Sequence, residues 1–230
     1  MKEHTRVKIC GLTTLDDALA AVGAGADMLG FNFYQPSPRY LAPAECARIL
    51  GALRNRGAGV ETVGVFVNAS LSEIRAILDD CGLDLAQLHG DEPVELLTGL
   101  GDRAFKAIRP RSLEAARESL AYYGCGRRPR APALLLDAAR PGQYGGTGQA
   151  ADWRLAASLA KDYPILLAGG LQAQNAGAAV AQVRPWGVDV ASGVESQPGR
   201  KDHAKMAEFV ASIRGAAVRG AAIRREEAGL

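Results

Sequence analysis

Gly169-Gly170 and Ser192-Gly193 are the first residues in this chain whose types suggest a ligand. Glycine lets backbone N–H groups approach a phosphate closely, and the N-terminus of a following helix adds a favourable dipole. Gly145-Gly146-Thr147-Gly148 has the composition to close over the same ligand. Each glycine pair by itself also fits a tight turn, so it is their joint occurrence that points to phosphate. Asp137 ends the apolar run ALLLD. A low-dielectric wall disfavours a carboxylate there unless a partner compensates, which suits a general acid; a cap or a loop salt bridge is the plainer role. Cys10 stands just before Gly11. A thiol with a reference pKa of about 8.5 needs only modest lowering to act as a base, although a lone cysteine also serves as ordinary core packing. Arg39 lies in the proline-bracketed SPRY, where its guanidinium is held ready for a bidentate carboxylate or phosphate contact, or for a surface salt bridge.

These residues need elements that bring them to one place. Eight short runs rich in Val, Ile, Leu and Phe predict strands at 6–10, 27–33, 62–67, 85–89, 104–109, 133–138, 164–169 and 188–193. Amphipathic stretches at 14–24, 43–55, 70–81, 92–100, 112–123, 152–161, 172–183 and 202–214 predict helices, several opening on a capping residue: Thr14, Ser70, Ser112 or Asp152. This β-then-α rhythm predicts an α/β fold, a (β/α)8 TIM barrel of eight parallel strands with outer helices. The 230 residues lie close to the roughly 250 typical of that fold. An open doubly wound sheet shows the same local rhythm, and count and length favour the barrel. In a barrel, chemistry gathers on the loops after the strands, where Cys10, Arg39, His89, Asp137 and the glycine pairs all fall. The expected organisation is a catalytic barrel over 1–214 and a frayed helical tail over 215–230, rich in Ala, Gly and mixed charge.

Bulk properties exclude several classes of function. A net charge of +2 with scattered arginines offers no field for a nucleic-acid backbone. No apolar run approaches the 18 or so residues of a membrane span, and the start MKEHTRVKIC lacks a secretory signal, so the expected location is the cytoplasm. Cys10, Cys46, Cys81 and Cys125 show no CxxC spacing, which argues against a zinc site or a disulfide framework. His89 is the one histidine at a strand end, since His4 precedes the first strand and His203 lies near the last helix. A metal centre therefore lacks ligands.

The segments KICGLT (8–13), SPRY (37–40), VGVFVN (63–68), QLHG (87–90), KAIR (106–109), LLLDA (134–138), GGTG (145–148), AGGL (168–171), VDVASGVE (188–195) and GRKD (199–202) occur in one order. Over about residues 6 to 214 the chain resembles the phosphoribosylanthranilate isomerase family of tryptophan biosynthesis. The resemblance implies that Cys10 is the general base and Asp137 the general acid of an Amadori rearrangement. That reaction needs proton transfers only and so fits a chain with no metal cluster and no dinucleotide fingerprint; no cofactor is expected. Arg39 would bind the anthranilate carboxylate, and Gly169, Gly170, Ser192 and Gly193 the ribose phosphate. His89 and Asp189 would contact the sugar or ring. AGGL stands where the family often has SGGL, so one hydroxyl near the phosphate loop is missing while the backbone donors remain. The implied partner is a small phosphorylated amino-sugar substrate, taken up by a monomer or a homodimer.

Two other readings make different demands. An epimerase-type barrel needs metal-ligating histidines and carboxylates at several strand ends. A non-catalytic phosphate-binding barrel has no use for Cys10 and Asp137. A related histidine-pathway isomerase performs the same chemistry on a different amino-sugar phosphate, and SPRY together with Cys10 favours the anthranilate substrate.

Overall fold

The computed structural model describes residues 4–123, 131–137 and 153–227, with side chains of the last helix described as far as Gly215. Cys125, Asp152 and the loop 145–148 lie outside the described residues. Eight parallel strands follow one another around a closed barrel: β1 (Arg6–Cys10), β2 (Met28–Asn32), β3 (Glu61–Phe66), β4 (Leu85–Leu88), β5 (Ala104–Ile108), β6 (Leu134–Leu136), β7 (Ile165–Leu167) and β8 (Gly187–Val190). Closure is made by β1 against β8, in register from Arg6 opposite Gly187 to Ile9 opposite Val190. That pairing separates a barrel from an open sheet, and periodicity carries no information about it.

Between the strands run α1 (Leu15–Ala24), α2 (Pro43–Arg54), α3 (Leu71–Cys81), α4 (Val94–Leu100), α5 (Leu113–Tyr122), α6 (Trp153–Ala160) and α7 (Ala173–Val183), and α8 (His203–Glu227) follows the last strand. Thr14, Ser70 and Ser112 cap α1, α3 and α5 as expected, accepting from the N–H groups of Asp17, Glu73 and Ala115. Each such cap contributes about 1 kcal/mol. None of the described helices is long and apolar enough to cross a membrane.

Each strand serves two cores because successive side chains point to opposite faces. Val7, Ile9, Leu29, Phe31 and Phe66 are buried in the layer shared with the helices. Met28, Val63, Leu85, Phe105, Leu135 and Leu166 form a second buried cluster. On β1, β4 and β8 the inward series continues toward the C-terminal mouth with polar residues: Lys8 and Cys10, then Gln87, then Asp189.

One feature departs from the sequence expectation. A small antiparallel hairpin, β9 (Glu195–Gln197) and β10 (Arg200–Lys201), follows β8. Pro198-Gly199 turns it, with Gly199 at φ +81°, a position that suits glycine. The final helix runs from His203 through Glu227. Near its middle Arg214 donates to the carbonyls of Thr5 (2.6 Å) and Gly25 (3.0 Å) and to Asp27 (2.8 Å), fixing α8 against the entry of the barrel.

Candidate active site

Cys10 is the last residue of β1, and Lys8, two residues earlier, shares its inward face. The Cys10 Sγ and Lys8 Nζ stand together over Gly30, at 2.8 and 3.0 Å from where a Cβ on that residue would lie. Lys8 is fully buried and donates to Asp189 Oδ1 at 2.7 Å. Burial favours the neutral amine, yet the Asp189 carboxylate and Cys10 outweigh it and hold the Lys8 pKa above its ordinary value.

A second ion pair sits beside the first. Arg39 donates through Nε and Nη2 to the two carboxylate oxygens of Glu195, both at 2.8 Å, and Lys201 Nζ donates to Glu195 Oε1 at 2.8 Å. Burial alone would raise the Glu195 pKa, but Arg39 and Lys201 bring it below the usual carboxylate range. The aliphatic part of Arg39 packs over Gly11, which puts its guanidinium next to the end of β1. Arg39 does form a salt bridge, but a largely buried one, and it keeps the Nη1 corner clear of Glu195. Three cations, Lys8, Arg39 and Lys201, thus face two carboxylates, Asp189 and Glu195, leaving positive charge in excess while Cys10 is a thiol.

The modest lowering that would ease Cys10 into the role of a base is not what its surroundings produce. Burial pushes the thiol up, Asp189 adds to that, and Lys8 and Lys201 pull only partly against it. The residue is only 9% exposed, and desolvation penalises a thiolate more than two ammonium groups already engaged by carboxylates can repay.

Asp137 follows β6 and is 8% exposed. Its Oδ2 lies 3.1 Å from His89 Nε2 and 4.0 Å from Arg109 Nε. His89 Nδ1 in turn lies 2.7 Å from the amide nitrogen of Gln87, two residues earlier on β4. Arg109 also donates to the His89 carbonyl at 2.8 Å. Just behind, Lys106 is buried against Glu92 at 2.9 Å and against the Gly90 carbonyl at 2.7 Å, while Glu92 accepts from the N–H groups of Gly90 and Asn68. This clamp fixes the turn that carries His89.

Gly169 and Gly170 after β7 have φ of +93° and +66°. Ser192 and Gly193 after β8 begin a short 3-10 helix. A Cβ on Gly193 would run into the carbonyl oxygen of Leu171, so the two loops touch at this point. The N–H groups of Gly169, Gly170, Ser192 and Gly193 find no hydrogen-bond acceptor among the described residues. They are four backbone donors on adjacent loops.

The nine described residues given roles from the sequence thus lie at or just inside one end of the barrel, while the loop 145–148 falls outside the described residues. Sequence reasoning did not assign Lys8, Gln87, Glu195 or Lys201. A usable signal existed for the first two, since Lys8 precedes Cys10 and Gln87 precedes His89 by two residues on a strand, which puts each pair on one face. Among the described residues no cluster of three His, Cys, Asp or Glu side chains is arranged to hold a metal ion.

A closed parallel barrel with its ionisable side chains and free backbone donors collected at the C-terminal mouth defines a (β/α)8-barrel enzyme. Comparison with known proteins makes this specific. A family model described as N-(5'-phosphoribosyl)anthranilate (PRA) isomerase matches residues 7–212. The N-(5'-phosphoribosyl)anthranilate isomerase of Pelobacter propionicus is 46% identical over 205 residues, covering 89% of this chain and 93% of that protein. The crystal structure of phosphoribosyl anthranilate isomerase from Thermotoga maritima superposes with a TM-score of 0.81 at 39% identity, covering 92% of this chain and 99% of that one. A structure of the enzyme in complex with reduced 1-(o-carboxyphenylamino)-1-deoxyribulose 5-phosphate matches with a TM-score of 0.77 at 34% identity, with coverage of 92% and 99%. The chain belongs to the N-(5'-phosphoribosyl)anthranilate isomerase family.

Proposed function

We propose that this chain converts N-(5-phosphoribosyl)anthranilate to 1-(2-carboxyphenylamino)-1-deoxyribulose 5-phosphate, with Asp137 as general acid and Cys10 as general base. The observation that carries the roles is the placement of the thiol and the carboxyl on β1 and after β6, both at the mouth, beside the backbone donors that follow β7 and β8. The Gly169, Gly170, Ser192 and Gly193 N–H groups hold the phosphate. The Nη1 corner of Arg39 takes the anthranilate carboxylate while Glu195 keeps the guanidinium in place. The sugar lies between these anchors, where His89 and Asp189 orient the groups that touch it.

The reaction needs proton transfers only. Asp137 gives its proton to the furanose ring oxygen, the bond from that oxygen to C1 breaks, and the nitrogen lone pair forms the C1=N bond of a protonated Schiff base. The Cys10 thiolate removes the C2 proton, and the C–H electron pair becomes a C1=C2 bond as the C=N pair returns to nitrogen. The resulting enolamine takes a proton at C1 and loses the one on its C2 hydroxyl, giving the ketose. Because burial holds Cys10 as a thiol, Lys8 and Lys201 supply the positive charge against which the thiolate forms. The rate with substrate below saturation therefore rises with pH until Cys10 is deprotonated.

The test is loss of phosphoribosylanthranilate fluorescence, run beside the histidine-pathway aminoaldose phosphate. Each positioned acid or base contributes about 10²- to 10⁴-fold. Cys10→Ala and Asp137→Asn should each lose turnover on that scale while keeping their affinity for the reduced product analogue. Near wild-type turnover in either variant removes that residue from its role.

A further inference from the structure

The His89–Asp137 pair has a buried neighbour that the acid step, as described, does not use. Gln87 is 1% exposed, and its side-chain amide nitrogen lies 2.7 Å from His89 Nδ1. With its amide nitrogen toward the ring and its Oε1 buried without a partner among the described residues, Gln87 can only donate here, so Nδ1 is an acceptor and bears no proton. The neutral ring then carries its proton on Nε2, which points at Asp137 Oδ2 at 3.1 Å. Among the described residues, charged neighbours come from two nearby strand ends: Arg109 after β5, with Nε 4.0 Å from the same Oδ2, and Asp137 itself after β6. Lys106, on the opposite face of β5, is directed to Glu92 and away from the ring.

We propose that Gln87 is a positioning residue for the proton donor. By donating to Nδ1 it fixes His89 as the neutral Nε2–H tautomer, so that Asp137 Oδ2 is held as an acceptor and the exchangeable proton is confined to Oδ1. With the other tautomer, Nε2 would be a bare acceptor and would draw the Asp137 proton onto Oδ2, away from the substrate. The two-residue spacing on β4 accomplishes this, since Gln87 and His89 share one face of the strand. The inference rests on the general-acid reading of Asp137 and adds to it which oxygen delivers the proton and what keeps it there.

The experiment labels histidine with ¹⁵N in the full chain, assigns His89 by comparison with His89→Asn, and reads the two ring nitrogens directly. The expected spectrum of the neutral ring has an unprotonated Nδ1 and a protonated Nε2. Gln87→Met removes the donor at similar volume. It should give a mixture of tautomers and lower kcat by roughly 10- to 100-fold with little change in KM, the scale on which lost support of a working imidazole is felt. Gln87→Glu offers only an acceptor, so it should place a proton on Nδ1 and shift the kcat–pH profile. A wild-type His89 protonated on Nδ1 overturns the proposal, whether or not the variants fold. So does a Gln87→Glu enzyme with the wild-type profile. An active Asp137→Asn enzyme would instead remove the general-acid reading, a result separable from the tautomer spectrum.

Discussion

Replacing Gly193 by alanine adds one methyl group where the structure leaves none to spare. Gly193 does not adopt a left-handed φ, so the change carries no backbone penalty of that kind. The new Cβ would overlap the carbonyl oxygen of Leu171, a backbone atom that no rotamer change can move aside. Relief requires the loop after β8 and the loop after β7 to separate by about 1 Å, enough to carry a donor near 3 Å from a phosphate oxygen out of hydrogen-bonding range. A hydrogen bond to a charged group contributes about 1.5–3 kcal/mol, so losing one such donor should raise KM roughly 10- to 150-fold. The effect on kcat should be smaller, because Cys10 and Asp137 lie on other strands. Inorganic phosphate should weaken as a competitive inhibitor in the same proportion. Gly23→Ala is the control, since a methyl group there meets nothing within 4 Å on α1; it should be neutral or stabilising by up to about 1 kcal/mol. A folded Gly193→Ala enzyme with unchanged KM and phosphate inhibition would refute the placement of the phosphate on these loops.

Lys8→Met should leave Asp189 buried without its cation and cost about 3–5 kcal/mol in urea denaturation. Because Lys8 opposes the burial that raises the Cys10 pKa, its loss should also move the rising limb of the rate–pH profile to higher pH. Asp27 joins the barrel entry to α8, and Arg214, His4 and the Val7 N–H together bring its pKa below the ordinary value although burial works the other way. Its contribution to stability is therefore full above the unfolded carboxylate pKa and is lost as pH falls through the lower folded value. The difference in urea midpoint between wild type and Asp27→Asn should accordingly be large at pH 7 and shrink below pH 4, with the carboxylate reference at about 3.9.

The order of elements, the caps on α1, α3 and α5 and the end of the barrel at which chemistry gathers are local properties, and they were legible in the sequence. Cys10, Arg39, His89, Asp137 and the glycine pairs stood out because each is an uncommon residue at a strand end. The turn of the β9–β10 hairpin also had a signal in Pro198-Gly199.

Tertiary structure decided what those residues face. Barrel closure rests on β1 meeting β8 across some 180 positions of sequence, and the pairing of Lys8 with Asp189 follows from it. The partner of Arg39 is Glu195, 156 residues away, and that of His89 is Asp137, 48 residues away. The proton affinity of Cys10 is decided in the same way. Sequence fixes a group's intrinsic chemistry, but burial and the charges around it are set by distant strands, and at this mouth burial outweighs the two lysines.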